Sequence, residues 1–268
     1  MLIRYVKANP SGNVTLFILD PVAPKDRKQV NKWLLAREKT AEQAGCLTID
    51  GNKTTIEMLG GEFCGNATRS SAAYALALQG GQEGEFQVRC SGCESPLTAR
   101  VHKLKENVYD ARIQLPLPTV MKTIPVSYER ESVNCHYISM PGIDHYVYFT
   151  LNLHNLDRRQ FLYSLQREIT RGPEPSAYGL MLVELGSLKM IPAVYVTSTG
   201  TFYWEKSCGS GSGAVAAAMA LRQDHSIEAV LKEPGGTISI KADYENHKVT
   251  GLTIGGPVSF GPVQQVEI

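Results

Sequence analysis

The feature that most constrains this chain is a motif used twice: Cys64 lies in GEFCGNATRSSAAYA, and Cys208, far along the chain, lies in KSCGSGSGAVAAAMA. In both, a Cys-Gly pair leads through small polar residues (Asn66 and Thr68; Ser210 and Ser212) into an alanine-rich run. That is the pattern of a loop opening a helix. Each thiol is then expected beside the first free N–H groups of a helix, at the positive end of its dipole. Such a setting favours the thiolate, so both pKa values are expected below the free value of about 8.5. The same N–H groups suit an anion such as a carboxylate. A single cysteine of this kind reads most simply as a small buried hydrophobe, but two in matched settings point to paired thiol chemistry.

A second level of duplication surrounds the first. Residues 26–40 (DRKQVNKWLLAREKT) and 157–170 (DRRQFLYSLQREIT) share a helical pattern, and each follows a β-rich segment, VTLFILD and HYVYFTLNL. The alanine-rich helices are predicted at 66–79 and 210–222, and strands with turns follow both. The chain reads as one unit repeated. Three prolines within LPLPTVMKTIPVSYER fit a crossover between two similar α/β domains.

Composition narrows the partners. With 27 Lys and Arg against 26 Asp and Glu, the net charge of +1 gives no field to draw nucleic acid or an anionic membrane. No apolar run approaches the ~20 residues of a membrane span, and MLIRYVKANPSGN lacks the apolar stretch of a signal peptide. A cytoplasmic protein is expected. The six cysteines form no dense framework and fit a reducing compartment. Cys90 and Cys93 make a C-x-x-C, but no second such pair and no H-x-x-x-H accompanies it, so no metal is expected. Neither glycine loop has the lysine and spacing of a triphosphate cradle. What is left is a small-molecule substrate, with a homodimer the one macromolecular assembly left open.

The segments NPSGN (9–13), GEFCGNATR (61–69), DHYVYF (144–149), WEKSCGSG (204–211) and PGGTI (234–238) run in this order across nearly the whole chain. In this it resembles the cofactor-independent amino-acid epimerases typified by diaminopimelate epimerase. The resemblance implies an α+β fold of two pseudo-symmetric domains, each a mixed β-sheet wrapped around a central helix, with the active site in the interdomain cleft. Domains are then expected at 1–122, with the strand 257–268 returning to it, and at 123–256. It also implies no pyridoxal phosphate or other cofactor and no metal. Racemisation takes the α-proton from one face of an amino acid and returns one to the other, so a thiolate and a thiol, Cys64 and Cys208, would face each other across the substrate. The N–H groups of Gly65, Asn66, Gly209 and Ser210 would stabilise the charge that builds on its carboxylate.

Substrate choice turns on departures from that family. Diaminopimelate epimerases carry an asparagine before the first cysteine and a longer ERGxGET stretch before the second. Here the segments read IEMLGGEF and YWEKSCGSG, with Met58 and Leu59 in place of polar residues and Lys206 where arginine is expected. These segments more closely resemble the histidine racemases of staphylopine-type metallophore biosynthesis, which also have an EQ pair, here Glu42 and Gln43. By that resemblance Glu42 binds the imidazole, accepting an N–H from a neutral ring or pairing with a protonated one. Asn13 and His145 match positions that face the cleft. Glu205 and Lys206 flank the second cysteine and would tune it or touch the substrate α-amino group; Phe63 and Trp204 belong to the pocket or to the core. Two alternatives stay open: a diaminopimelate epimerase with altered distal recognition, and a non-catalytic protein in which the two cysteines form a redox disulfide or ligate metal. A phenazine-biosynthesis-like isomerase would share the architecture but lacks the cysteine pair.

Overall fold

Alternation of apolar and polar residues with period two writes most of this chain as strand. In the first half the computed structural model, which describes residues 1–173, 175–197 and 201–267, has β1 (Leu2–Pro10), β2 (Thr15–Ile18), α1 (Arg27–Arg37), β3 (Gln43–Asp50), β4 (Lys53–Met58), α2 (Gly65–Gln79), β5 (Glu83–Cys90), β6 (Leu97–Lys105) and β7 (Val108–Gln114). The second half has β8 (Val120–Tyr128), β9 (Glu131–Met140), β10 (Ile143–Thr150), α3 (Arg158–Ile169), β11 (Ala177–Glu184), β12 (Lys189–Val196), β13 (Thr201–Trp204), α4 (Gly209–Gln223), β14 (Ile227–Glu233), β15 (Gly236–Glu245), β16 (Lys248–Phe260) and β17 (Gln264–Glu267). Apart from the added β8, β13 and β17, the element order of one half repeats in the other.

Helices stand where the pairing requires them. Strands β2 and β3 are parallel, as are β4 and β5, β10 and β11, and β12 and β14. A parallel pair needs a crossover, and α1, α2, α3 and α4 supply the four in turn. The other neighbours are antiparallel: hairpins between successive strands, and the long-range pairs that β16 and β17 make with β1 and that β16 makes with β7. In the first half the pairing runs from β1 in order to β7, then to Thr253–Ser259 of β16, and β16 returns to Ala8–Pro10 of β1. Eight strands thus close into a barrel. The same β16 pairs through Lys248–Gly255 with β15, so the sheets of the two halves are one continuous sheet. Prolines 116 and 118 fall in the connection from β7 to β8. Pro125, expected in the same crossover, lies inside β8, whose only strand neighbour among the described residues is β9. A missing N–H on the free side of an edge strand breaks no ladder bond.

The barrel is filled by α2, and every residue from Gly65 to Leu76 is buried; α4 repeats this from Gly209 to Ala220. Glycine, alanine and serine dominate both because little else fits. A Cβ on Gly213 would stand 2.3 Å from Leu115 Cδ1. Strand β2 is buried on both faces: Phe17 joins the core around α2, while Leu16 and Ile18 face Val30 and Leu34 of α1 on the outside. The fully buried Arg69 donates to Asn66 Oδ1 (3.1 Å) and to the Gly256 carbonyl (2.8 Å). Burial lowers its pKa to about 10, which still leaves it charged at neutral pH. Among the described residues no helix is long and apolar enough to cross a membrane.

One close contact ties the halves together at the site. Gly12, at φ +89°, lies so near Gly235 that a Cβ on it would be 2.6 Å from the Gly235 Cα. Beside it Ser11 Oγ donates to the Thr237 carbonyl (2.7 Å), and the Gly235 N–H donates to the Lys206 carbonyl (2.8 Å). Gly12→Ala is therefore expected to cost about 2–4 kcal/mol, from backbone strain plus a backbone clash that cannot relax. Gly51→Ala shares the positive φ but meets open space, and should cost only about 1 kcal/mol. Urea unfolding of the two variants checks the difference; equal losses would contradict the packing of the Gly12 turn.

Candidate active site

Each cysteine is the N-cap of its helix, with near-identical extended backbone: φ −131° and ψ 105° at Cys64, φ −129° and ψ 105° at Cys208. The helices meet end to end. A Cβ on Gly209 would stand 3.0 Å from the Asn66 nitrogen, and one on Gly65 would be 3.6 Å from the Gly209 carbonyl carbon. Glycine after each cysteine is thus what lets the two positive helix ends approach. Both thiols, Gly65, Gly209 and Ser210 line one cavity of about 270 Å³. The structure brings the predicted pair into one chamber.

Around Cys64 the polar groups are donors. Gln43 Nε2 reaches the sulfur at 3.0 Å and the Ala67 N–H at 3.4 Å. The same Gln43 amide lies 2.9 Å from both Asn13 Oδ1 and Thr15 Oγ1, and Asn13 Nδ2 donates to Glu42 Oε2 at 2.6 Å. Asn66 bridges the halves, its Nδ2 lying 3.3 Å from Asn13 Oδ1 and from Ser207 Oγ.

Around Cys208 the groups are acidic. The Glu205 carboxyl stands close enough to its thiol for each to bear on the other's ionisation. Glu233 accepts the Cys208 N–H (2.7 Å) and the Ser212 hydroxyl (2.6 Å), so a carboxylate faces the helix end from beneath. His145 Nε2 lies 3.1 Å from Ser210 Oγ, while its Nδ1 is buried with no hydrogen-bond partner among the described residues.

The expected acidic thiols are not found. Burial pushes Cys64 up to about 12, against the lowering effect of the Ala67 N–H and of Gln43. Burial, then the charges of Glu205 and Glu233, push Cys208 far above the ordinary range. Removing a thiolate from water outweighs the helix-end N–H groups. The carboxyls respond in kind: burial raises Glu205 to about 8 and Glu233 to about 7, while His145 falls to about 3 and is neutral.

Asn13, Glu42, Phe63 and Glu205 line the cavity as expected. Two expectations are corrected. His145 lies outside the lining, fully buried behind Ser210. Lys206 is exposed and away from the chamber. The Asn66 N–H stays at the junction of the helix ends, while its side chain, behind the lining, holds Asn13, Ser207 and Arg69. Trp204, of the two readings given it, belongs to the core, packed on Phe202 under Arg158. Met58 and Leu59 sit in the packing on the two faces of the barrel wall.

Other lining residues carried no sequence signal of their own: Glu62, Tyr203, and Asn31 and Leu35 of α1. Glu233 was adjacent to PGGTI and Glu62 to Cys64, the only hints available. The C-x-x-C turn also has a structural place. Ser91 Oγ donates to the Glu62 carbonyl (2.9 Å) and accepts the Met58 N–H (3.0 Å), while Gly92 lies against Phe63, which braces the Cys64 loop.

The raised carboxyl predicts how stability depends on pH. Glu205 keeps its proton in the fold up to about pH 8 but ionises near 4.5 in the unfolded chain. Between those values the folded state binds more protons, so stability falls as pH rises through the window. Glu205→Gln should flatten that decline: the urea midpoint of the ligand-free variant should gain on that of the parent between pH 5 and 8. Parallel curves would show that Glu205 is ionised in the folded state at ordinary pH.

The family model described as the histidine racemase CntK N-terminal domain matches residues 2–263. The chain is 28% identical over 223 residues to a histidine racemase of Fusobacterium nucleatum subsp. nucleatum, covering 80% of this chain and 79% of that one. Among solved structures it is similar to a PhzF-family phenazine biosynthesis protein of Bacillus anthracis, with a TM-score of 0.71 and 13% identity over 100% of this chain and 99% of that one. It is also similar to a probable proline racemase of Agrobacterium radiobacter solved with bound carbonate, with a TM-score of 0.65 and 12% identity over 99% and 92% of the two chains. At such identities the structures speak for the fold alone. They specify it as the mixed α/β fold of a PhzF-family phenazine biosynthesis protein and a probable proline racemase, so the fold does not by itself separate a phenazine-type protein from a racemase. The match over nearly the whole chain does: this chain belongs to the CntK-type histidine racemase family.

Proposed function

We propose that this chain interconverts L- and D-histidine without a cofactor, using Cys64 and Cys208 as the two bases. The observation that carries the reading is the pair of N-cap cysteines opening onto one cavity where two helix N-termini abut. A substrate carboxylate placed between Gly65, Asn66, Gly209 and Ser210 would meet both positive helix ends. The ammonium would lie among Glu62 and Glu205, and the side chain would extend toward Glu42.

That placement also resolves the raised thiol pKa values. A bound ammonium offsets the negative charge of Glu62 and Glu205 that opposes a thiolate, so one thiol releases its proton to solvent as substrate enters. The thiolate then takes the α-proton, and the electron pair left on Cα spreads into the carboxylate. The thiol on the other face gives its proton to Cα and becomes the thiolate. Atoms and charge balance, and the enzyme ends with its two sulfurs exchanged in role, ready for the opposite enantiomer. His145 would act through Ser210, fixing the hydroxyl that follows Cys208.

The reading carries two domains, 1–122 with 257–268 and 123–256, supported by the repeated element order and by the return of β16 and β17 to β1. It also carries a cytosolic enzyme acting on a free amino acid, in keeping with six cysteines that are all unpaired.

In heavy water each enantiomer of histidine should gain deuterium at Cα as it inverts, because the returned proton comes from a thiol equilibrated with solvent. Cys64→Ser and Cys208→Ser should each lower kcat by several orders of magnitude, a hydroxyl being a far weaker base than a thiolate. Full activity in either variant would overturn the two-base reading. Glu42→Ala should lower kcat/KM for histidine by about 1–3 kcal/mol, the cost of a lost charge-assisted hydrogen bond, with little effect on small aliphatic amino acids. Faster turnover of diaminopimelate than of histidine by the parent enzyme would return the chain to the alternative substrate.

A further inference from the structure

The wall of the cavity away from the family motifs comes from α1. Val30 and Leu34 of this helix bury against Leu16, Ile18 and Ala44 on the outside of the barrel. Asn31 and Leu35, one position further on each turn, line the cavity. Spaced by four, they lie one above the other on a single face. A polar residue followed one turn later by an apolar one is a small composite surface, suited to a group with both an apolar face and a polar edge.

Asn31 Oδ1 is buried and has no hydrogen-bond partner among the described residues. A buried acceptor left unmatched costs about 1–3 kcal/mol, so such atoms in native folds call for an explanation. The neighbouring lining group, Glu42, is differently placed: one of its oxygens is already engaged by Asn13 at 2.6 Å. Asn31 lines a cavity whose other walls include the apolar Leu35, Ala44, Val194 and Val196, and a turn about its Cβ–Cγ bond presents to that cavity the acceptor that no described protein group fills.

The geometry points to Asn31 as a specificity-determining residue that accepts a ring N–H from the substrate side chain, with Leu35 packed against the face of that ring. This rests on the histidine racemase reading and deepens it. An imidazole carries one N–H when neutral and two when protonated, and its faces are apolar, which matches the composite surface. A site that hydrogen-bonds a substrate N–H rejects an isostere lacking it, because the acceptor is then left unpaired.

The test compares histidine with thienylalanine, whose five-membered ring has nearly the same shape but neither ring nitrogen and so no hydrogen donor. For the parent enzyme and for Asn31→Ala, Asn31→Leu and Asn31→Asp, kcat/KM is measured for both. The ratio favouring histidine should fall about tenfold or more in the Ala and Leu variants and be kept in the Asp variant, which preserves the acceptor. A purely structural role for Asn31 would lower both values together and leave the ratio unchanged; an unchanged ratio overturns the inference. Alanine is the best helix former, so Asn31→Ala keeps the test valid should the bulkier leucine disrupt folding. A parent enzyme that does not act on histidine at all would instead refute the racemase reading, a distinct outcome seen before any variant is made.

Discussion

Two helix N-termini that abut inside a sheet are the constraint on which the rest of this structure depends. Like ends of two dipoles repel, and each presents N–H groups with no partner in its own helix. The fold answers with small residues and with acceptors. Gly65 and Gly209 let the backbones approach, while Glu233 takes the Cys208 N–H and the Ser212 hydroxyl. What remains unfilled is the space between the two ends, and it is shaped for an anion. To hold both helices there, each must be surrounded by strands, which is why their first twelve residues are all buried and why β16 is shared by the two halves.

The electrostatics follow from closing that chamber. Sulfur and carboxyl groups shut away from water resist ionisation: Cys64, Cys208, Glu205 and Glu233 are all shifted upward with burial as the first cause, and the two thiols hold their protons in the ligand-free site. Donors surround Cys64 and carboxylates surround Cys208, so the two sulfurs are alike in backbone and unlike in charge environment. A zwitterionic amino acid brings both charges the chamber is missing. Its carboxylate meets the helix ends and its ammonium meets the carboxylates, so substrate binding and thiol activation become one event.

Much of this was legible in the chain. The four helices and the two cysteine loops stand out because period and small-residue composition are local properties. The duplication in sequence survives as a repeat of elements. Closure of the barrel did not show, because it depends on β16 pairing with β1 and β7 at once, a contact between the ends of the chain. The thiol pKa values were misjudged for a related reason: the N–H groups that lower them are local, whereas the burial that raises them is tertiary. His145 looked like a cleft residue and lies behind Ser210. Met58 and Leu59 stood out only as replacements for polar residues, and their packing on the two faces of the barrel wall is a tertiary property. Asn31 carried no motif, and only its unfilled oxygen marks it.

The central claim is that the chamber keeps both thiols protonated until a cationic amino group enters. Ultraviolet absorbance of thiolate, recorded at neutral pH with and without saturating histidine and corrected with the Cys64→Ser, Cys208→Ser double variant to remove the other four cysteines, measures this directly. The account predicts no thiolate from either residue in the free enzyme and about one per chain in the complex. Thiolate already present in the free enzyme, or none in the complex, would contradict it.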